Sequence, residues 1–96
     1  MPAVTVLGQL DTGHGSWPPR GNNKASTNVF VNGIGVHRST DTYPIHCNTD
    51  PECHPATLSS GSGTVKINGL DCARIGDPVS CGGTIAEGSS NVFAGG

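Results

Sequence analysis

The sequence predicts an all-β domain made of short β-hairpins that repeat three times around a pseudo-threefold axis. Two observations carry this prediction. A run of β-branched residues closed by Asn-Gly occurs twice, and glycine makes up 15 of the 96 residues. No ten-residue stretch shows helical periodicity without a Gly, Pro or β-branched interruption. We therefore expect residues 1–96 to form one domain of this class.

Three segments repeat one pattern, in which a small polar lead-in precedes a β-type run that ends in glycine. They are residues 25–33, 61–69 and 88–96. In the first two copies the run closes in Asn-Gly, a strong short-range hairpin signal, because a type I′ turn needs positive φ at both central residues. The sequence therefore predicts a hairpin in each of these copies.

The second half of the repeat follows each Asn-Gly turn and contains an arginine and an aspartate. Arg38 aligns with Arg74, and Asp41 aligns with Asp77, without a gap. The C-terminal copy stops at its glycines, whereas the N-terminus resembles the missing second half, with Asp11 aligned to the other two aspartates. We expect the first and last half-units to complete one another, and each arginine to pair with acidic or carbonyl groups within its repeat.

The composition predicts that the fold needs a staple. Hydrophobic residues are 33% of the chain, with one Trp, one Tyr and two Phe, whereas about 45–50% apolar residues are usual. A small domain with so few apolar side chains gains little from burial and needs disulfides, a metal or a partner.

Charge and hydropathy exclude several function classes. The formal net charge is −2, and charged residues are 12% of the chain, which argues against a nucleic-acid partner because no basic stripe exists. No apolar run approaches the ~20 residues of a membrane helix. The N-terminus shows no secretory signal, so we expect synthesis in the cytoplasm and, if the protein is exported, transport on a dedicated machine.

A soft metal ligand follows the aspartate of each repeat unit, and an insertion at about residues 42–59 adds one more. The four candidate ligands are His14, His46, His54 and Cys81. Three His and one Cys complete a tetrahedral shell for zinc, and four protein ligands leave no open position, as in structural sites. Binding of the metal would supply folding free energy that the thin core lacks.

A second interpretation is local to the insertion, where His46, Cys47, Cys53 and His54 form a symmetric pattern. The two cysteines either ligate a metal or form a disulfide, and a reducing cytoplasm favours ligation. Cys72 is interpreted as a small core residue. The remaining histidine, His37, is interpreted as hydrogen-bonded and structural, and Trp17 as packed on the adjoining prolines.

The sequence offers no motif of a known enzyme class. It has no nucleophile elbow, phosphate-binding loop or dinucleotide fingerprint. A small zinc hydrolase with Glu52 as general base is an alternative, but the order of residues found in zinc deaminases is absent. We therefore expect that the chain is not an enzyme and that it has no catalytic residues.

Taken together, several motifs resemble the proline-alanine-alanine-arginine (PAAR) repeat family, and the resemblance covers essentially the whole chain. The segments that carry it are residues 67–78 (INGLDCARIGDP), 80–83 (SCGG), 35–38 (GVHR), 13–15 (GHG) and 18–20 (PPR). The namesake motif is degraded to Asp-Cys-Ala-Arg in one copy and Gly-Val-His-Arg in the other. Segments 13–15 and 18–20 resemble the short members from phage and contractile tails. So does the run that contains His37-Arg38, Asp41, His46-Cys47 and Cys53-His54.

The resemblance implies a fold, a role and a metal. Family members are sharp cones whose flat base binds the blunt end of a trimeric β-helical spike, and a zinc ion lies near the apex. By motif position its ligands fall on the four residues proposed above. The implied role is a structural tip that sharpens the spike for membrane piercing, with one cap per trimer, either in a phage tail or in type VI secretion.

The resemblance admits more than one partner, destination and metal. The partner is a valine-glycine-repeat spike or a phage tail spike, with effector proteins as possible cargo and the target membrane contacted only transiently. The protein would end on a virion tail tip or be secreted by the injection machine. An alternative function is a stand-alone zinc-binding adaptor that links effectors to a spike, and iron is an alternative metal. The residues proposed for base and core contacts are Val29, Phe30, Val31, Val65, Ile67, Val92, Phe93 and Ala94.

Overall fold

The structure, a computed structural model, describes residues 1–13, 17–47 and 52–95. Within them the fold is all-β, as predicted, with no helix. Three antiparallel hairpins are formed by β1 (Phe30–Val31) with β2 (Ile34–Gly35), β3 (Thr42–Cys47) with β4 (Cys53–Thr57), and β5 (Lys66–Ile67) with β6 (Leu70–Asp71). The body is elongated, 39 Å by 23 Å by 23 Å.

The two Asn-Gly pairs form the predicted turns. Asn32 and Gly33 have φ of 53° and 80°, and Asn68 and Gly69 have φ of 54° and 81°. Positive φ at both central residues is the type I′ geometry, which matches the twist of the flanking strands. The hairpin prediction for the first two copies is confirmed.

The chain termini build the third copy together, as the circular offset of the repeat predicts. Ala3 pairs with Phe93 in an antiparallel bridge, and the Ala94 N–H donates to the Pro2 carbonyl at 3.0 Å. The first and last half-units therefore complete one hairpin-like unit.

Three backbone hydrogen bonds close a ring around the pseudo-threefold axis. The Thr5 N–H donates to the Ala73 carbonyl (2.9 Å), Ala73 to the His37 carbonyl (3.0 Å), and His37 to the Thr5 carbonyl (3.0 Å). All three residues are 0% exposed. One residue from each unit thus donates to the next unit and accepts from the other, so the ring joins the units without any side chain.

A buried or half-buried serine organises the lead-in of each unit. Ser26, Ser62 and Ser89 each accept, through Oγ, hydrogen bonds from the backbone N–H groups two and three residues further on. Such local bonds fix a turn before a strand. The identical pattern in three places confirms the threefold repeat.

The two aligned arginine–aspartate pairs have the same geometry. In each, the carboxylate accepts from the arginine backbone N–H, Nε and Nη2: Asp41 from Arg38, and Asp77 from Arg74, at 2.8–3.1 Å. The predicted pairing within each repeat is confirmed. The bond from the arginine backbone N–H also closes a tight turn.

The alignment of Asp11 with these two aspartates is wrong by two residues. Gln9 takes the equivalent place: its N–H donates to the Val6 carbonyl and its Oε1 accepts from the Val6 N–H at 2.9 Å. Gly8, just before it, has a φ of 88°, and the residues preceding Asp41 and Asp77 also have positive φ. An amide oxygen accepts the turn hydrogen bond as well as a carboxylate does, so this unit needs no arginine.

Two small hydrophobic clusters lie on either side of the backbone ring. One cluster lies beside the β1–β2 and β5–β6 hairpins, and this end of the molecule is here called the base. The cluster contains Val4, Val36, Cys72 and Ala94, with Val29, Val31, Ile67 and Val92 packed against it. The second cluster contains Tyr43, Ala56, Leu58, Ala73, Val79 and Ile85, with Cys81 against it. Of the residues proposed for base and core contacts, Phe30, Val65 and Phe93 are exposed at the base, and the others belong to the first cluster.

His37 and Cys72 have the structural roles predicted for them. Cys72 is buried in the base cluster, and burial raises the pKa of its thiol to about 11. His37 is buried, its Nδ1 lies 2.7 Å from the Lys24 carbonyl, and its ring contacts Tyr43 edge-on at 5.1 Å. Burial lowers the pKa of His37 below its ordinary value of 6.5, because desolvation disfavours the cation.

His37 therefore makes stability depend on pH. The unfolded chain takes up a proton at this residue below about pH 6.5, whereas the folded chain does so only at lower pH, so the stability is present above that pH and is lost as the pH falls. We expect the wild type to lose more unfolding free energy between pH 7.5 and 5.5 than a His37→Gln variant. Urea titrations at each pH measure the two losses, and equal losses would contradict the assignment.

Candidate metal centre

The β3–β4 hairpin brings two of the predicted ligands together. His46 and His54 lie directly opposite each other in the register, after a β-bulge that follows Tyr43. Their Nε2 atoms are 2.7 Å apart and their rings are nearly perpendicular, with an 80° interplanar angle. Both imidazoles thus present the same ring nitrogen to one point.

Cys81 supplies a third donor from a different repeat unit. It lies in the turn between Val79 and Gly83, where the Gly82 N–H donates to the Val79 carbonyl at 3.0 Å and Gly82 has a φ of 108°. The ligand atoms of His46, His54 and Cys81 all lie within 4.8 Å of one another. Among the described residues, these three form the cluster with metal-binding chemistry.

His14, the fourth predicted ligand, lies outside the described residues. Its sequence position is nevertheless informative once the repeat register is corrected. His14 lies five residues after Gln9, the same spacing that separates His46 from Asp41. The threefold repeat therefore still predicts that His14 belongs to this cluster.

The hydrogen bonding of His46 suits a metal ligand. Its Nδ1 lies 3.0 Å from the Pro18 carbonyl, which can only accept, so Nδ1 carries the proton and Nε2 keeps its lone pair. A second-shell bond of this kind fixes the tautomer and orients the ring. His46 is buried, and His54 and Cys81 are half-buried, so the cluster is shielded from water in part.

The local alternative, a metal site that includes Cys47 and Cys53, is wrong. These two residues face each other in the register and form a disulfide, with their Cα atoms 4.1 Å apart. Their sulfur atoms are bonded to each other and do not serve as metal ligands. The bridge links β3 to β4 one residue beyond the two histidines. The expected reducing cytoplasm favoured ligation over a disulfide, whereas the strand pairing places the two cysteines opposite each other.

Trp17, which the sequence interpretation packs on the adjoining prolines, contacts the two histidines. Its ring lies 4.9 Å from the His54 ring and 6.4 Å from the His46 ring, and its Nε1 donates to the Glu52 carbonyl. The indole therefore covers one side of the cluster. The sequence interpretation identified the residue but missed this contact.

Arg20 is the functional residue that sequence reasoning missed. It is 7% exposed, and its Nη2 donates to the Cys81 sulfur at 3.2 Å. A nearby carboxylate, that of Asp11, lies 3.5 Å from its Nε. One signal was available: the chain has only five basic residues, and one of them adjoins a His- and Trp-containing segment.

The donor set limits what the cluster can bind. Neutral imidazole and thiolate are the ligands that zinc takes in tetrahedral sites, and iron also accepts both. The nearby Asp11 carboxylate accepts through Oδ1 from the backbone N–H groups of Gly13 and Arg20, and its Oδ2 lies 3.5 Å from Arg20 Nε. The cluster therefore suits a soft metal ion.

The fold and this cluster together define a small β-repeat protein with a His/Cys group that could hold a metal ion. The PAAR-motif family model matches residues 12–87, which is most of the chain. The chain belongs to the PAAR-motif family.

Two curated relatives from Pseudomonas aeruginosa are toxins: the NAD(P)(+) glycohydrolase toxin Tse6 of strain PAO1 and the (p)ppApp synthetase toxin Tas1 of strain UCBPP-PA14. Each is 37% identical to this chain over an alignment of 78 residues that covers 76% of the chain. The chain spans 18% of the length of each relative. The similarity therefore concerns the PAAR region of these toxins.

The disulfide assignment has a direct chemical test. Alkylation in denaturant without reductant should label two thiols, because Cys72 and Cys81 are free, and four thiols after reduction. Mass spectrometry counts the labels, and four labels before reduction would contradict the bridge.

A Cys47→Ser/Cys53→Ser variant should lose about 2 kcal/mol of unfolding free energy, since the bridge closes a short loop.

Proposed function

We propose that this chain is the structural tip of a contractile injection machine, with residues 1–96 acting as one unit. Its base would cap the blunt end of a trimeric β-helical spike, and its opposite end would form the point. The observation that carries the proposal is the pseudo-threefold base itself, because a single chain with three equivalent units matches a trimer one to one.

The base has the chemistry of a docking face. Phe30 and Phe93 occupy equivalent positions in two units and are 57% and 50% exposed, and Ile34 is 45% exposed beside them. Large apolar side chains clustered at one face favour a protein partner over solvent. Each base sheet has two strands in the described residues, so a spike strand could extend it by backbone pairing.

Pairing of this kind would solve a problem for the spike. The end of a trimeric β-helix leaves strand edges with unpaired N–H and C=O groups, which are prone to aggregation. A cap that offers one sheet to each of three subunits would satisfy these groups and bury the exposed phenylalanines. A stoichiometry of one cap per trimer follows.

We further propose that His14, His46, His54 and Cys81 hold one zinc ion at the end away from the base. Three of these side chains already converge, and the repeat supplies the fourth. The ion would join the three repeat units at the end away from the base, where there are few apolar side chains to hold them together. Iron is the alternative that the same donors admit.

On this proposal the protein contributes rigidity and no catalysis. With His14 as the fourth ligand beside His46, His54 and Cys81, the site would have no open position, which suits a structural site. A closed site would serve mechanical penetration of a target membrane, because the ion joins chain segments that are far apart in the sequence. Among the described residues no helix is long and apolar enough to cross a membrane.

A second candidate function is an effector carrier. Two relatives with toxin names contain a region similar to this chain within much longer proteins. This favours a role in which the PAAR unit brings a toxin to a spike, either through further sequence or through a bound partner. The type VI secretion system is the machine that this candidate implies.

Spike binding is tested with a trimeric valine-glycine-repeat spike protein. Native mass spectrometry should show one chain per trimer. Phe30→Glu and Phe93→Glu should each weaken binding about tenfold or more, since a buried Phe side chain is worth about 1.5–3 kcal/mol. Ile45→Glu is the matched control, because Ile45 is exposed on β3, outside the base. A 3:3 complex, or no binding, would refute the proposal.

Metal binding is tested by elemental analysis of the purified protein. We expect one zinc ion per chain in the wild type and in His37→Gln, whose histidine lies at the backbone ring. His14→Ala, His46→Ala and Cys81→Ala should each lose most of the metal, because removal of one ligand opens a four-coordinate site. Retention of stoichiometric metal in the ligand variants would show that the ligand set is wrong.

A further inference from the structure

The Arg20 side chain touches several chain segments that surround the histidine–cysteine cluster. Its Nη1 donates to the carbonyls of Pro44 at 2.6 Å and His54 at 3.2 Å, and its Nη2 donates to the Cys81 sulfur at 3.2 Å. Pro44 and His54 belong to the β3–β4 unit, whereas Cys81 belongs to the unit that follows β6. One guanidinium thus connects the two strands of the hairpin to the cysteine turn.

The N-terminal unit fixes Arg20 from the other side. The buried Asp11 carboxylate accepts from the Arg20 N–H at 2.9 Å and from the Gly13 N–H at 3.0 Å, and it lies 3.5 Å from Arg20 Nε. The guanidinium also lies over the Tyr43 ring, 5.4 Å from its centre. Both the backbone and the side chain of Arg20 are therefore held, and all three repeat units meet at this residue.

A buried guanidinium is costly unless every donor finds an acceptor. Asp11 compensates the charge, and two carbonyls accept from Nη1, whereas Nε lies 3.5 Å from the Asp11 carboxylate without a hydrogen bond. The remaining contact is with a sulfur, which is a weak acceptor as a thiol and a much stronger one as a thiolate. The arrangement is therefore complementary to Cys81 in the form in which cysteine binds metals.

We infer that Arg20 is the positioning residue of the metal centre. It holds the Cys81 thiolate at a fixed place beside His46 and His54, and it withdraws electron density from the sulfur through a charge-assisted hydrogen bond. This inference rests on the proposed metal site. It assigns to Arg20 a role distinct from that of Arg38 and Arg74, which pair with aspartates inside their own units.

Cobalt provides the probe, since Co²⁺ replaces zinc in His/Cys sites and its sulfur-to-metal charge-transfer band reports on the thiolate. The variants are Arg20→Met, which keeps the length without the donors, and Arg20→Lys, which keeps the charge. The matched control is Arg74→Met, which removes a half-buried arginine that pairs with Asp77 and the Gly95 carbonyl. Co²⁺ titration of each protein gives the affinity and the band position.

We expect Arg20→Met to bind Co²⁺ about 10–100-fold more weakly than the wild type, the usual effect of losing a second-shell partner. Its charge-transfer band should move to longer wavelength, because the sulfur lone pair rises in energy without the hydrogen bond. Arg20→Lys should fall between the two, and Arg74→Met should match the wild type in both measurements. The band position separates an effect on the sulfur from a general loss of stability.

The outcomes distinguish this inference from the proposed metal site. A wild type that binds no Co²⁺ and shows no charge-transfer band would refute the site itself, and the role of Arg20 with it. A wild type that binds Co²⁺, with Arg20→Met unchanged in affinity and band position, would refute only the role of Arg20. If Arg20→Met does not fold, Arg20→Lys decides by the same readouts, and wild-type values there would overturn the inference.

Discussion

The fold depends on three backbone hydrogen bonds that pass from Thr5 to Ala73, from Ala73 to His37, and from His37 back to Thr5. A chain in which only a third of the residues are hydrophobic cannot rely on a large core. Here the units are joined at their centre by peptide groups, which every residue carries, so each unit is free to differ in side chains. The small clusters on either side of the ring then need to fill only narrow layers. At the base, a single serine side chain in each unit fixes the turn that precedes the strand.

Because peptide groups rather than side chains join the units, the sequence pattern predicted the fold better than it predicted the site. The Asn-Gly turns and the pairing of the termini depend on local backbone geometry or on a repeat visible in the sequence, and both predictions are confirmed. The register of the first unit was missed because alignment compares residue types. Gln9 makes the turn hydrogen bond through an amide oxygen, whereas Asp11, which looks more like the other units, pairs with Arg20 instead.

The candidate site shows the same contrast. The ligand atoms of His46, His54 and Cys81 lie within 4.8 Å of one another. The sequence indicated these residues by their type and by their places in the repeat and its insertion. The contacts around them depend on long-range geometry that no spacing reveals. Cys47 and Cys53 form a disulfide because a hairpin register places them opposite each other, and Arg20 reaches Cys81 across 61 positions of sequence. Sequence thus indicates donors, whereas folding decides which polar groups surround them.

The base is threefold in backbone but not in side chains, since Phe30, Lys66 and Phe93 occupy the same place in the three units. A homotrimer presents three identical subunits, so such a cap would dock in three orientations of equal energy, 120° apart. This degeneracy favours assembly by RT ln 3, about 0.6 kcal/mol. The three orientations also affect imaging. Averaging of particle images would superimpose the densities of the lysine and the two phenylalanines, unless the cap were aligned separately from the trimeric spike.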